Sequence, residues 1–177
     1  RDTSHGADYF RRWHRLVECS GSLWVHKASH HFDLLNWWID SDPESVYALG
    51  SLDHYGKNGT FRAENCRTCP HTSKCKFYYD ITRNQNYMDL YVANEKYDGY
   101  LRDGCVFKND VNIFDKMAAT IRYKNGVQVA YSLTTYSPYE GYRIAFNGTK
   151  GRLEAWIQES RPTSDVNFDE LVLFKNF

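Results

Sequence analysis

Residues 20–39 read S-G-S-L-W-V-H-K-A-S-H-H-F-D-L-L-N-W-W-I, and the rest of the chain is interpreted around them. A hydroxyl at Ser20 or Ser22 can accept from one of the first free helical N–H groups, and Pro43 behind Asp40-Ser41-Asp42 stops the run. One helix of about five turns is expected. At 100° per residue Val25, Ala28, Phe32, Leu35 and Ile39 share one apolar stripe, whereas His26, His30, Asp33 and Trp37 share another on nearly the opposite side, with Leu23 and Leu34 beside the histidines. A helix apolar almost all round needs cover on two sides, so its histidine side is expected to face a second layer or a ligand. The bland reading of these histidines is that they are core residues bonded to backbone. Yet imidazole is the side chain that titrates near neutrality unperturbed, and two rings one turn apart, with Lys27 between them, suit proton transfer or metal binding.

The whole chain bounds the answer. Its 177 residues fit one domain, read as 1–177, with 42% hydrophobic and 25% charged residues, a globular composition. Lys plus Arg and Asp plus Glu both number 22, so no basic excess marks nucleic acid or an anionic membrane as a partner. No run approaches the roughly 18 apolar residues of a membrane span. Aromatics make up 16% of the chain, more than a small core needs, and their flat faces with polar tips suit sugars or protein surfaces. The chain opens at Arg1 and closes after the strand-like L-V-L-F, so it reads as a piece of a longer protein. A cytoplasmic location is expected, with periplasmic export of the parent as the alternative.

Residues 8–18 set Arg11, Arg12, His14 and Arg15 around Tyr9, Phe10 and Trp13, either a solvated basic segment or a wall for a hydroxylated or anionic ligand. A strand is expected over 45–55 and a turn at Lys57-Asn58-Gly59. Residues 76–91 read as one or two short helices broken near Asn84-Gln85-Asn86, and 94–108 as a loop whose candidate contacts are Tyr97, Tyr100, Arg102 and Asp103. In the C-x2-C of Cys66 and Cys69, two thiolates can share one zinc, with Cys75, His71 or the distant Cys105 completing four ligands. A Cys69–Cys75 or Cys66–Cys75 disulfide and plain free thiols compete with that reading, and five cysteines exclude a complete disulfide framework.

Residues 117–133 fix a hairpin. A three-residue loop, Lys124-Asn125-Gly126, pairs Tyr123 with Val127, Ile121 with Val129, Ala119 with Tyr131 and Met117 with Leu133, which unites the apolar residues on one face and puts Gly126 in a left-handed position. A second hairpin over 142–157, with the loop Asn147-Gly148-Thr149-Lys150, pairs Phe146 with Gly151, Ile144 with Leu153 and Tyr142 with Ala155. Turn chemistry accounts for both N-G-T sequences without sugar attachment. A polar loop over 160–169 and a last strand over 171–174 complete the chain.

The helix motif, followed by a strand and later by Y-R-I-A-F-N-G-T-K-G-R-L-E, resembles the C-terminal domain of the glucose-fructose oxidoreductase, inositol dehydrogenase and rhizopine catabolism (Gfo/Idh/MocA) family, over about residues 9–159. The resemblance implies an α+β fold, an open, largely antiparallel (mixed) β-sheet with helices packed on one face. It also implies a sugar, cyclitol or polyol substrate, NAD(P) bound by an N-terminal domain whose G-x-G-x-x-G turn this chain lacks, and homo-oligomers through the sheet face, whose small residues include Ala118, Ala130 and Ala145 with Trp156. Aligned on H-x-x-D-L-L, His30 takes the family's catalytic histidine position, Asp33 the acid after it, and His26 the place of an expected Asp. His30 and His26 are therefore the catalytic candidates. Asp33, Lys27, Arg11, Arg12, Trp13, His14, Tyr100 and Arg102 are the substrate-binding candidates, and the fragment alone is expected to be inactive. Two other readings remain. One is a metal-dependent hydrolase using His26, His30 and Asp33; the other is a module stabilised by structural zinc at Cys66, Cys69, Cys75 and His71, without catalysis.

Overall fold

In the computed structural model, which describes residues 5–137, 140–160 and 170–175, the stretch 20–39 is two helices instead of one. Helices α1 (His5–Arg11) and α2 (Val17–Ser20) flank a 3-10 turn at Trp13–Arg15, and α3 (Ser22–His26) and α4 (Ala28–Ile39) follow. Gly21 closes α2 in the left-handed region at φ 64°, and the serine hydroxyls then act as expected: Ser20 Oγ accepts from Ser22 N at 3.0 Å and Ser22 Oγ from Trp24 N at 3.3 Å. Lys27, at φ −120° and ψ −51°, interrupts the run. Leu23 is buried in one apolar cluster, with Phe10, Tyr55 and Met117, whereas Phe32 and Ile39 pack on another, formed by Ala119, Ile121 and Tyr123. A bend between the two anchorages lets each half reach its own cluster. Val25, expected on the apolar stripe, belongs to α3 and is 63% exposed.

Strand β1 (Pro43–Ser51) pairs antiparallel with β2 (Lys116–Tyr123), and β2 with β3 (Gln128–Thr134). Strand β1 stops four residues short of the expected end because buried Asp115 captures the chain beyond it. One carboxylate oxygen accepts from Asp53 N at 3.0 Å, and the other from His54 N at 2.7 Å and Tyr55 N at 3.0 Å, so these amides are unavailable to a ladder. The first hairpin has the expected register, Met117 opposite Leu133, Ala119 opposite Tyr131 and Ile121 opposite Val129, with Gly126 at φ 87°. Met117, Ala119, Ile121 and Tyr123 point to the buried face under Trp24, Phe32 and Ile39, and Tyr123 donates to Asn36 Oδ1 at 2.8 Å. Helices thus cover one face of an antiparallel sheet, the expected fold class.

Between β1 and β2, Asn84 accepts from Tyr87 N at 3.1 Å and caps α5 (Gln85–Leu90), behind a 3-10 turn at Ile81–Arg83. This is the expected pair of short helical pieces. The segment read as loop contains one short helix, α6 (Glu95–Asp98).

The chain divides into two compact units, Gly6–Tyr136 and a second containing β4 (Glu140–Gly148), β5 (Gly151–Ser160) and β6 (Glu170–Lys175), an antiparallel sheet in that order. Here the expected register is corrected: Phe146 faces Leu153, Ile144 faces Ala155, Tyr142 faces Ile157, and the loop is only Thr149-Lys150. A slip of two residues keeps every side chain on its original face, so alternation alone cannot distinguish the registers. Strand β6 contains the expected last strand, and the polar loop expected over 160–169 lies outside the described residues except Ser160, which ends β5. Among the described residues no helix is long and apolar enough to cross a membrane.

Candidate functional site

Local geometry gathers Tyr9, His14 and His26 from α1, the turn after it and the end of α3. The His14 and His26 rings stack at 4.8 Å between centroids, Tyr9 lies 4.8 Å from His14, and Trp13 stacks on His14 at 3.7 Å. Tyr9 OH and His26 Nδ1 share a hydrogen bond of 3.2 Å. His14 is only 5% exposed and its Nδ1 has no hydrogen-bond partner. Burial, reinforced by the Arg12 guanidinium and His26, pulls its pKa down from 6.5 to about 4, so at neutral pH it is an uncharged ring. Burial also lowers His26, with Lys27, Arg12 and His30 pushing the same way. His26 is therefore held as a neutral imidazole, with one nitrogen bonded to Tyr9 and its outer edge exposed.

Around this stack the surface is cationic and aromatic. His30, Asp33 and Trp37 are exposed on one face of α4, Trp37 at 75%, and Lys27 stands exposed at the break between α3 and α4. Arg12 donates through Nε to Tyr100 OH at 3.2 Å, joining two residues that the sequence proposed separately. His31, the third histidine of the stretch, shares a 2.8 Å hydrogen bond with Tyr131 OH at the sheet and serves packing. Neutral proton acceptors beside fixed cations and flat rings can bind a polyhydroxylated molecule and take a proton from one of its hydroxyls.

Two proposed substrate contacts point elsewhere. Arg11 is buried and donates to Cys66 Sγ at 3.2 Å, to Gly104 O at 3.3 Å and to Phe77 O. Arg102 is also buried, forms a bidentate pair with Asp8 at 2.6 and 3.1 Å, and lies over the Tyr87 ring at 5.3 Å. Both side chains are engaged inside the protein and leave the substrate-contact set. Tyr9, one of the aromatics of the 8–18 segment, touches both His14 and His26, a juxtaposition for which its sequence spacing from His26 carries no periodic signal.

The cysteines form a separate locality. Cys66, Cys69, Cys75 and Cys105 line one cavity of about 10 Å³. His71, the fourth ligand expected from sequence, packs its ring on Phe61 instead, at 4.9 Å, and Cys105 takes its place in the wall. All five cysteines are free. Among the described residues no three His, Cys, Asp or Glu side chains stand close enough together to grip a metal ion. The triad of His26, His30 and Asp33 that a metal hydrolase would need is therefore not assembled.

The model of the "Oxidoreductase family, C-terminal alpha/beta domain" (GFO_IDH_MocA_C) matches residues 1–169. A protein of Bacillus subtilis (strain 168), "Putative oxidoreductase YteT", is 38% identical over 167 residues, covering 87% of this chain and 39% of its own length. The chain thus spans about two fifths of that relative.

Proposed function

The chain belongs to the Gfo/Idh/MocA oxidoreductase family as its C-terminal alpha/beta domain, and on that premise we propose that it is the substrate-binding part of an NAD(P)-dependent oxidoreductase acting on a hydroxyl of a sugar, cyclitol or related polyol. The observation that carries this reading is the exposed edge of His26 and His30 beside Arg12 and Lys27, with Tyr9 and His14 fixing His26 from behind. The chain's own residues do not fit a dinucleotide cradle, because its sequence has no G-x-G-x-x-G turn. In the intact parent the nicotinamide would supply the hydride acceptor. This chain's part is to bind and orient the substrate and to move a proton. His30 removes the proton of the reacting hydroxyl, His26 holds a neighbouring hydroxyl as an acceptor, and Arg12 and Lys27 stabilise negative charge as it develops on oxygen.

Steady-state kinetics on the intact parent test the assignment. His30→Ala is expected to lower kcat by roughly 10²–10⁴-fold, the usual loss for a general base. Arg12→Ala is expected to lower kcat and kcat/KM together with little change in KM, as for a group whose interaction strengthens in the transition state. An unchanged kcat in the His30 variant would remove the proton-transfer role. Calorimetry on the fragment alone is expected to show no nicotinamide dinucleotide binding at micromolar concentration.

A further inference from the structure

We propose that Cys66, Cys69, Cys75 and Cys105 form a four-thiolate structural zinc site that clamps the 66–75 loop to the segment around Cys105. The backbone brings the four together from three places in the chain. Cys66 N donates to Asp103 O at 2.9 Å, Cys105 N donates to Glu64 O at 3.2 Å, and Asn65 and Gly104 form an antiparallel bridge between them, so Cys66, opposite Asp103, and Cys105, opposite Glu64, stand diagonally on one face of a short ladder. The turn Cys66–Cys69, closed by Cys69 N donating to Cys66 O at 3.3 Å, places the second sulfur, and Cys75 joins Cys66 and Cys105 at the same cavity. All four then wall the same small cavity, which has room for one water-sized or ion-sized occupant.

The surroundings of the sulfurs point to a metal more than to free thiols. Each sulfur accepts from the protein: Cys69 from His71 N and Cys105 from Phe107 N, both at 3.4 Å, Cys75 from the main chain at Phe77, and Cys66 from the main chain at Tyr79 and from the Arg11 guanidinium at 3.2 Å. Donors aimed at sulfur stabilise thiolates, and such bonds to metal-ligating sulfur orient the ligand and offset its charge. Four thiolates around one divalent ion carry a net negative charge, and buried Arg11 supplies a compensating cation at the cavity wall. The sulfurs stand too far apart to hold an ion as placed, but each cysteine swings its sulfur about a single χ1, and an ion in the cavity would draw them inward. Tetrahedral thiolate coordination selects zinc.

The test is metal analysis of the full-length protein, purified without chelator or added metal. About one zinc per chain is expected in the wild type and in His71→Ala, and little in Cys105→Ser. In native protein the exposed Cys19 thiol should react readily with a thiol reagent, and the other four only after chelation. Because Cys105→Ser can fail to fold, the ligand count is also read in wild-type protein by cobalt replacement, which should give the absorption of a tetrahedral four-thiolate complex. Wild-type protein without stoichiometric zinc, a disulfide among these four cysteines in non-reducing mass spectrometry, or a cobalt spectrum lacking thiolate charge transfer would each overturn the proposal. Zinc lost from His71→Ala would overturn the ligand set.

Discussion

With its pKa pulled to about 4, His14 links folding to pH. The unfolded chain takes up a proton at this residue near 6.5, and the folded protein resists until about 4, so the unfolded state binds more protons across that window. The stability tied to the neutral ring is complete above about 6.5 and is lost as pH falls toward 4. Urea denaturation at pH 7.5 and pH 4.5 should therefore show a larger acid loss in wild type than in His14→Gln, which has no imidazole to protonate. Arg102 gives a second residue-level prediction. Asp8→Asn leaves that buried guanidinium without its carboxylate and should cost about 1–2 kcal/mol in urea denaturation, less than a dry pair would because the Asp8 side chain is 38% exposed.

Among the elements, two glycines separate backbone conformation from space. Gly126 holds the left-handed position of the first hairpin with nothing within 4 Å of an added Cβ, so Gly126→Ala should cost only the conformational term, about 1–2 kcal/mol. Gly104 adjoins the cysteine cavity with a Cβ position 2.4 Å from the Arg11 carbonyl oxygen, a backbone atom that cannot rotate away. Gly104→Ala should cost more than Gly126→Ala, at least about 2 kcal/mol, because the bridge to Asn65 must shift. Thermal denaturation of the two variants side by side checks the order.

For the whole molecule, the sheet of β1–β3 has one face under helices and one open. On the open face Tyr47 is 68% and Leu49 62% exposed, beside exposed Ala118 and Ala130. An exposed strand with apolar side chains also leaves an edge that natural proteins cover. We propose that a second copy of the protein covers this face, where small residues allow close sheet packing. Sedimentation should show a dimer for wild type and a monomer for Tyr47→Glu with Ala130→Glu, with the far-ultraviolet circular dichroism unchanged. On the second sheet Trp156 already has the Arg143 guanidinium over its ring at 4.1 Å, so it is the weaker anchor.

What the residues determined by themselves is local. Alternation and one glycine set the register of 117–133, because any one-residue slip would expose Met117, Ala119, Ile121 and Tyr123 together. Serine hydroxyls, Asp40 in a left-handed turn and Pro43 set the ends of the helical stretch, since each acts on neighbouring backbone groups. The H-x-x-D-L-L motif carried the family for the same reason: its spacing lies within two turns of helix. The tertiary structure decided the rest. It bent the helix at Lys27 to serve two clusters, ended β1 through a carboxylate more than sixty residues downstream, and turned Arg11 and Arg102 inward. It also brought Cys105 into the cavity wall in place of His71. Each of these outcomes depends on which distant partner a side chain meets once the loops close, and sequence periodicity contains no term for that.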